Sequence, residues 1–345
     1  MSVAGEVHDD PEESARFAGL HHVDANAPGI SRRRAGKGFT YRHPSGRSIS
    51  KADRARIDAL VIPPAWTDVW ICTDPKGHLQ ATGVDDAGRK QYLYHARWRA
   101  ARDLLNFYRL VDVAKALPGI RRHVDAQLRR RTLDRDRVVA GVIALLDRCH
   151  ARIGGEEYAE DNESYGLTTL RPEHVRVRGA TIELCFPGKS GKEWSCSTED
   201  AALARLLRSL QRRADDHLFA LDGTPISADE VNACLARLSR DHLTAKDFRT
   251  WGGTLAAFRH LRGLANGDPC DADVVAAVDA AAELLGNTRA VARSSYVHPE
   301  VLAAHLDADA RLRAPARASK GLSAEENALV AFLRALLDAA PVKAA

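Results

Sequence analysis

The strongest constraint on the fold is a change of sequence pattern near Trp98. Residues 38–95 form short strand-like runs separated by turn residues, such as Pro44-Ser45-Gly46 and Asp85-Asp86-Ala87-Gly88. Turn signals at this regular spacing predict a small antiparallel sheet. Beyond Trp98, apolar residues recur every three or four positions, which predicts long amphipathic helices. The chain is therefore predicted to join a β domain to a mainly helical one.

The predicted fold class is α+β, with a small N-terminal antiparallel sheet domain followed by a larger, mainly α-helical domain that contains a small three-stranded sheet. Strands of the first domain are predicted at residues 39–42, 69–72, 78–84 and 89–94, with one helix over residues 50–60 capped by Ser50. Strands of the second are predicted at residues 166–170, 174–178 and 181–186, and residues 193–197 are a candidate fourth.

Charge and pattern divide the chain into three parts. Residues 1–35 form an acidic lead-in, partly flexible, with one helix around residues 12–20 and a frayed basic end at residues 32–34. Residues 36–97 form the sheet domain and residues 98–345 the helical domain. Residues 1–30 hold six acidic side chains and one arginine, although the whole chain has a formal net charge of +4. A basic body is typical of nucleic-acid-binding proteins and of many other enzymes.

The cysteines and the apolar runs argue against two other classes of protein. Six cysteines occur without a C-x-x-C pair, and no N-terminal apolar segment is present, so reduced thiols in a cytosolic protein are expected and no zinc site is predicted. The longest strongly apolar run, residues 138–146, contains Gly141 and is too short to span a bilayer.

The segment between Glu283 and Pro299 has two helix breakers. Gly286 follows an apolar helical pattern as its C-cap, so that Asn287 opens a new short segment, and Pro299 starts the next helix. If this segment is helical, Tyr296 lies about two and a half turns from Asn287. Its simplest interpretation is an amphipathic connector with a buried tyrosine, and the alternative is a functional phenol.

Other candidate residues also have two interpretations. On the strand 89–95, alternation puts Lys90, Tyr92 and Tyr94 on one face, suited either to packing in a core or to contacting phosphates and bases. Arg152 can cap a helix, Lys189 lies in a turn between strands, and an arginine such as Arg249 can form a surface ion pair worth about 0–1 kcal/mol. Taken singly, none of these residues indicates a function.

Taken in order, the same residues match a known set. The motifs are Arg152-Ile153-Gly154 with Tyr158 following, Asn162-x-Ser164-Tyr165-Gly166-Leu167-Thr168-Thr169-Leu170, Phe186-Pro187-Gly188-Lys189, Lys246-Asp247-Phe248-Arg249-Thr250-Trp251-Gly252, Leu285-Gly286-Asn287-Thr288 and Ser295-Tyr296. With these motifs, residues 38–301 closely resemble the type IB DNA topoisomerases, specifically the poxvirus-like branch found in bacteria. Asn287 stands where the poxvirus enzymes carry histidine, and asparagine cannot shuttle a proton at physiological pH.

The resemblance implies a catalytic helical domain that relaxes supercoiled DNA by transient single-strand cleavage, strand rotation and religation through a 3′-phosphotyrosyl intermediate. It implies Tyr296 as the nucleophile, Lys189 as the general acid, and Arg152, Arg249 and Asn287 as phosphate-stabilising groups. DNA contacts are implied for Gln91, Tyr92, Tyr94, Tyr158 and Lys246. It implies no metal, no cofactor and no ATP, because side-chain cations meet the charge and the phosphotyrosine conserves the bond energy.

The resemblance also implies the partner and the setting. Double-stranded DNA is the partner, held by a monomer that closes on it as a clamp, with no required protein partner and no membrane, in the cytoplasm at the nucleoid. Two alternatives remain at this stage. A tyrosine recombinase shares the chemistry, but its second-arginine motif begins with histidine where Lys246 stands, and its N-terminal domain is helical. An architectural DNA-binding protein would keep the clamp without turnover.

Overall fold

A computed structural model describes residues 10–155, 163–214, 216–240, 243–264 and 268–339. The chain divides into two compact units, with the boundary between Asn106 and Phe107. Antiparallel strands dominate the first unit, and helices dominate the second, which also contains a three-stranded sheet. The predicted α+β class is therefore confirmed.

The first unit is organised around a five-stranded antiparallel sheet in the order β2-β1-β3-β4-β5. Its elements are α1 (Pro11–Phe17), β1 (Ile30–Ala35), β2 (Gly38–Arg42), α2 (Lys51–Ala59), β3 (Thr67–Ile71), β4 (Leu79–Val84) and β5 (Lys90–Tyr94). Helix α2 begins as predicted, because the Ser50 hydroxyl accepts a hydrogen bond from the Asp53 amide at 2.9 Å. Ile57 of this helix packs against Ile30 and Ile71 of the sheet, which forms the core of the unit.

Strand β1 corrects the prediction of a frayed basic end at residues 32–34. Residues of β1 pair with β2 from Ser31↔Arg42 to Ala35↔Gly38. The Arg32 guanidinium also donates to the carbonyl oxygens of Ile62, Pro63 and Trp66. The run of arginines hides this strand in the sequence, because its pairing partners lie on β2 and β3 rather than within its own pattern.

The second unit is built from helices around one large apolar core. Helix α3 (Ala96–Tyr108) spans the boundary between the units, and the helices that follow are α4 (Leu110–Arg129), α5 (Arg135–Cys149), α6 (Ala201–Gln211), α7 (Ala228–Ser239), α8 (Ala245–Gly263), α9 (Asp271–Leu285), α10 (Arg289–Ser295), α11 (Pro299–Leu306) and α12 (Ala324–Ala339). Among the described residues, no helix combines the length and the apolarity needed to cross a bilayer.

The small sheet of this unit has three strands in the order β6-β7-β8. They are β6 (Val175–Arg178), β7 (Thr181–Pro187) and β8 (Glu193–Glu199), so the candidate fourth strand is in fact the third. A separate two-stranded ribbon joins β9 (Ala220–Leu221) to β10 (Thr224–Pro225). The strand predicted at residues 166–170 is wrong: Leu167–Thr169 form a 3₁₀ turn, because their amides bond locally and to the segment after α5.

Two of the six cysteines correct the expectation of reduced thiols. Cys149, at the end of α5, and Cys196, on β8, form a disulfide with their Cα atoms 5.9 Å apart. Their separation of 47 residues in the sequence leaves no local pattern from which the pairing could be predicted. Cys185 and Cys270 are free and exposed.

A partly buried ion network attaches the last helix to the rest of the second unit. Arg121 of α4 donates to Asp147 of α5 at 2.7 Å and to Glu326 of α12 at 2.8 Å. Burial works to raise the pKa of Glu326, but hydrogen bonds from Arg121 and from the Ser323 amide outweigh it, and the pKa falls from 4.5 to about 2. The ionised carboxylate therefore stabilises the folded state.

We expect Glu326→Gln to lower the free energy of unfolding by about 3 kcal/mol near neutral pH. Because the pKa of Glu326 is lower in the folded state, the wild type has this stability above pH 4.5 and loses it as the pH falls toward about 2. Urea unfolding followed by circular dichroism at several pH values measures the difference. Glu325→Gln, at the exposed neighbouring position, is the control. A difference between wild type and Glu326→Gln that is independent of pH would contradict the assignment.

Candidate active site

The Arg249 guanidinium is held in place by backbone carbonyls. Helix α8 begins at a capping box in which the Asp247 carboxylate accepts from the Thr244 amide at 2.7 Å. Two residues later, Arg249 is only 4% exposed, and its terminal nitrogens donate to the carbonyl oxygens of His150 at 2.5 Å and Leu285 at 3.0 Å. Its Nε is buried and has no hydrogen-bond partner among the described residues. The side chain is thus a fixed cation with at least one N–H donor, that of Nε, available to a ligand.

Asn287 lies at the turn that the sequence predicts. Gly286 caps α9 with φ 61°, a left-handed conformation that favours glycine, and the Asn287 amide donates to Ala282 O at 2.9 Å. Asn287 Oδ1 accepts from Arg152 Nη2 at 2.5 Å. Asn287 is 8% exposed, and its Nδ2 is buried with no partner in the part of the chain that the structure describes.

The unused donors of Arg249 and Asn287 indicate a ligand. A buried donor without a partner costs about 1–3 kcal/mol. The sequence keeps two of them in one site, Arg249 Nε and Asn287 Nδ2. Both are donors, so the chemistry that satisfies them is an acceptor such as a phosphate oxygen.

Arg152 lies on an irregular segment that follows α5. His150 ends that helix with φ 51°, and the Arg152 carbonyl accepts from the Leu167 amide at 2.9 Å. Gly154 packs on Gly166, and a Cβ added at Gly166 would lie 2.8 Å from Arg152 O. Gly154 therefore lets two segments of the chain approach each other closely.

Lys189 is exposed on a 3₁₀ turn (Lys189–Gly191) between β7 and β8. The Gly188 amide donates to Lys192 O at 2.8 Å, which closes the base of this turn. Lys189 lines a shallow pocket together with Arg152 and Arg249. The structure therefore brings the lysine to the same pocket as the two arginines.

Tyr296 ends helix α10, and its ring lies beside Arg249. The Arg249 Cζ atom is 5.1 Å from the centroid of the half-buried Tyr296 ring. Burial lowers the pKa of Arg249, the Tyr296 phenol works to raise it, and Arg152 works to lower it. Arginine nevertheless stays charged. The Tyr296 amide donates to Ala292 O at 3.0 Å, and its carbonyl accepts from Thr254 Oγ1 at 3.1 Å.

Two successive glycines inside α8 allow close packing beside the site, Gly253 against this tyrosine and Gly252 against His150, although sequence reasoning did not single them out. A Cβ added at Gly252 would lie 2.5 Å from the His150 ring, and one added at Gly253 would lie 2.8 Å from Tyr296 O and 3.1 Å from its Cβ. Glycine in a helix interior is about 1 kcal/mol less favourable than alanine. Two in succession are therefore a sequence signal for close packing.

We expect Gly253→Ala to slow DNA cleavage roughly 10- to 100-fold, because the added methyl group displaces the Tyr296 backbone relative to Arg249. Single-turnover cleavage of an oligonucleotide duplex measures the rate, and filter binding checks DNA affinity. Gly263→Ala is the matched control at the end of the same helix, where an added Cβ meets no atom of the described residues within 4 Å. Equal rates for Gly253→Ala and the control would refute the positioning role.

In the first unit, β5 presents two of its predicted DNA-contacting residues to solvent. Tyr92 is 46% exposed and Tyr94 36%, with their rings nearly parallel and 6.1 Å apart. Lys90 Nζ lies 5.8 Å from the Tyr92 ring centroid. Gln91 points to the opposite face, where its Nε2 donates to Asp85 Oδ2 at 2.9 Å. The face with Lys90, Tyr92 and Tyr94 is therefore not part of the core, and Gln91 does not share it.

Two predicted DNA-contacting residues belong to the second unit. Lys246 is exposed on the first turn of α8, three residues before Arg249. Tyr158 lies outside the described residues. The five predicted catalytic residues lie around one site, as the contacts between Tyr296 and Arg249 and between Arg152 and Asn287 and the pocket shared with Lys189 show.

Two family models match the chain. "Eukaryotic DNA topoisomerase I, catalytic core" matches residues 95–317, and "Bacterial DNA topoisomerase IB, N-terminal domain" matches residues 38–85. The first match includes all five residues of the site, and the second covers three of the five strands of the N-terminal sheet, β2, β3 and β4.

Curated relatives agree with these matches. DNA topoisomerase 1B of Acanthamoeba polyphaga mimivirus is 30% identical over 285 residues, which cover 78% of this chain and 85% of that protein. DNA topoisomerase 1B of vaccinia virus (strain Copenhagen) is 23% identical over 71% of this chain and 76% of its own length. A solved structure of the XerH site-specific recombinase bound to difH substrate aligns with 55% of this chain and 50% of the recombinase chain. The identity is 12% and the TM-score is 0.33, so the two structures are only distantly alike. The chain belongs to the type IB DNA topoisomerases.

Proposed function

We propose that this protein relaxes supercoiled duplex DNA by cutting and resealing one strand through a covalent bond between Tyr296 and a 3′ phosphate. The observation that carries the proposal is the placement of the Tyr296 phenol beside the buried cation of Arg249. The unpartnered donors of Arg249 and Asn287 support it, because the phosphate supplies the missing acceptors.

The cleavage step is a transesterification. Tyr296 Oη attacks phosphorus and loses its proton to solvent, the bond from phosphorus to the 5′ oxygen breaks, and Lys189 donates a proton to that oxygen. Resealing reverses each step: the 5′ hydroxyl attacks the phosphotyrosine, Lys189 recovers the proton, and the phenol is released. Because the number of phosphoester bonds does not change, the cycle needs no nucleotide.

The cationic groups stabilise the charge that develops during this step. Arg152 and Arg249 present planar sets of donors to the non-bridging oxygens, and Asn287 Nδ2 adds a neutral donor. Fixed donors are effective because they need no reorganisation as the transition state forms. The bonds from Arg249 to two carbonyls and from Arg152 to Asn287 provide this rigidity.

The proposal extends to DNA binding. Lys90, Tyr92 and Tyr94 form an exposed cationic and aromatic face suited to phosphates and base edges. Tyr158 and Lys246 are proposed to contact DNA near the cleavage site. A monomer is proposed to close its two units on the duplex as a clamp, in the cytoplasm at the nucleoid, without a required protein partner.

The test is relaxation of negatively supercoiled plasmid in EDTA without nucleotide. We expect a ladder of topoisomers that ends in relaxed circles. A tyrosine recombinase, the rival that shares the chemistry, would instead exchange strands between two specific sites. Plasmid that stays supercoiled at saturating protein would contradict the proposed function.

A further inference from the structure

The buried side chain of Trp194 lies next to the proposed active site and has no role in the mechanism above. It lies on β8, paired with Phe186 of β7, and the two rings are 5.1 Å apart. Trp194 is 6% exposed, and its Nε1 is buried with no hydrogen-bond partner within the described ranges. Trp194 acts on the neighbouring turns through the packing of its ring.

The first contact of Trp194 is with the turn that carries Asn287. A Cβ added at Gly286 would lie 2.5 Å from Trp194 Cδ1 and 3.3 Å from its Nε1. The indole ring therefore packs directly on the Gly286 backbone, one residue before Asn287. The carbonyl of Leu285, on the other side of Gly286, is the one that accepts from Arg249 at 3.0 Å.

The second contact of Trp194 is with the turn that carries Lys189. A Cβ added at Gly188 would lie 3.6 Å from Trp194 Cβ. Gly188 immediately precedes Lys189, and its carbonyl accepts from Ser164 Oγ at 3.2 Å. Trp194, Lys189 and Gly286 also line the same pocket.

Trp194 thus touches the glycine before the proposed general acid and the glycine before the phosphate-holding asparagine. We infer that Trp194 is a positioning residue that sets the distance between Lys189 and the phosphate site of Arg249 and Asn287. The inference rests on the proposed function, because it assigns Trp194 to the same cleavage step. Interiors are close-packed, so losing the ring lets both turns shift.

The test uses two substrates that differ in one atom. One carries oxygen at the 5′ bridging position and the other carries sulfur, a leaving group that needs little help from a general acid. We expect Trp194→Leu to slow single-turnover cleavage of the oxygen substrate roughly 10- to 100-fold. The sulfur substrate should be slowed several-fold less, because it does not depend on the placement of Lys189.

Leu184→Ala is the matched control, since Leu184 is buried on the same sheet, pairs with Cys196 and is not among the nearest described neighbours of Gly188 or Gly286. Any loss it causes should be equal on the two substrates. If Trp194→Leu slows both substrates equally, or neither, the inference is overturned. Should Trp194→Leu fail to fold, Trp194→Phe gives the same readout. Wild-type protein that cleaves neither substrate would instead overturn the proposed function.

Discussion

Replacing Tyr296 with phenylalanine should abolish plasmid relaxation and the covalent DNA adduct while leaving DNA affinity unchanged. The substitution removes only the phenol oxygen, and the ring can keep its place beside Arg249. The hydrogen bonds from the Tyr296 amide to Ala292 O and from Thr254 Oγ1 to the Tyr296 carbonyl do not depend on that oxygen. Loss of a catalytic nucleophile elsewhere costs on the order of 10⁶-fold in rate.

Denaturing gels of the protein with labelled duplex measure the adduct, and filter binding measures affinity. Tyr165→Phe is the matched control, because Tyr165 lines the pocket beside Arg152 and Arg249 and loses the same oxygen. The control should still form the adduct. A DNA-linked band that persists in Tyr296→Phe would show that another residue is the nucleophile.

Replacing Lys189 with alanine should slow cleavage of the oxygen substrate by roughly 10²–10⁴-fold, the usual contribution of a general acid. The substrate with sulfur at the 5′ bridging position should restore most of the rate, because a thiolate leaves without being protonated. Lys189 is exposed at the tip of the turn between β7 and β8, so its loss should leave the fold intact.

Lys192→Ala provides the comparison for this experiment. Lys192 is exposed three residues later and lines the same pocket, so the variant removes an equal charge from the same place. We expect a smaller loss for Lys192→Ala, and a loss that sulfur does not restore. Absence of rescue in Lys189→Ala would remove the lysine from the role of general acid.

Much of the fold follows from local signals in the sequence. Turn residues locate β2 to β5, the Ser50 hydroxyl marks the start of α2, and Gly286 ends α9 next to Asn287. These predictions succeed because a cap or a turn depends on a few neighbouring residues. The site motifs and their order along the chain can likewise be identified from the sequence alone.

Features that depend on distant partners could not be predicted. Strand β1 is identified by its pairing with β2 and β3, and the disulfide joins residues 47 positions apart. The 3₁₀ turn at Leu167–Thr169 has the apolar and β-branched residues of a strand, but its amides bond to the segment after α5. Similarly, the contacts of Gly253 with Tyr296 and of Trp194 with two glycines exist only in the packed structure.

The most direct test of the central claim is mass spectrometry of the peptide joined to DNA in a trapped intermediate. A cleavage substrate that loses its 5′ fragment traps the adduct, and nuclease followed by protease leaves one modified peptide. The account predicts that the modified residue is Tyr296, linked to a 3′ phosphate. A different residue, or a linkage to a 5′ phosphate, would contradict it.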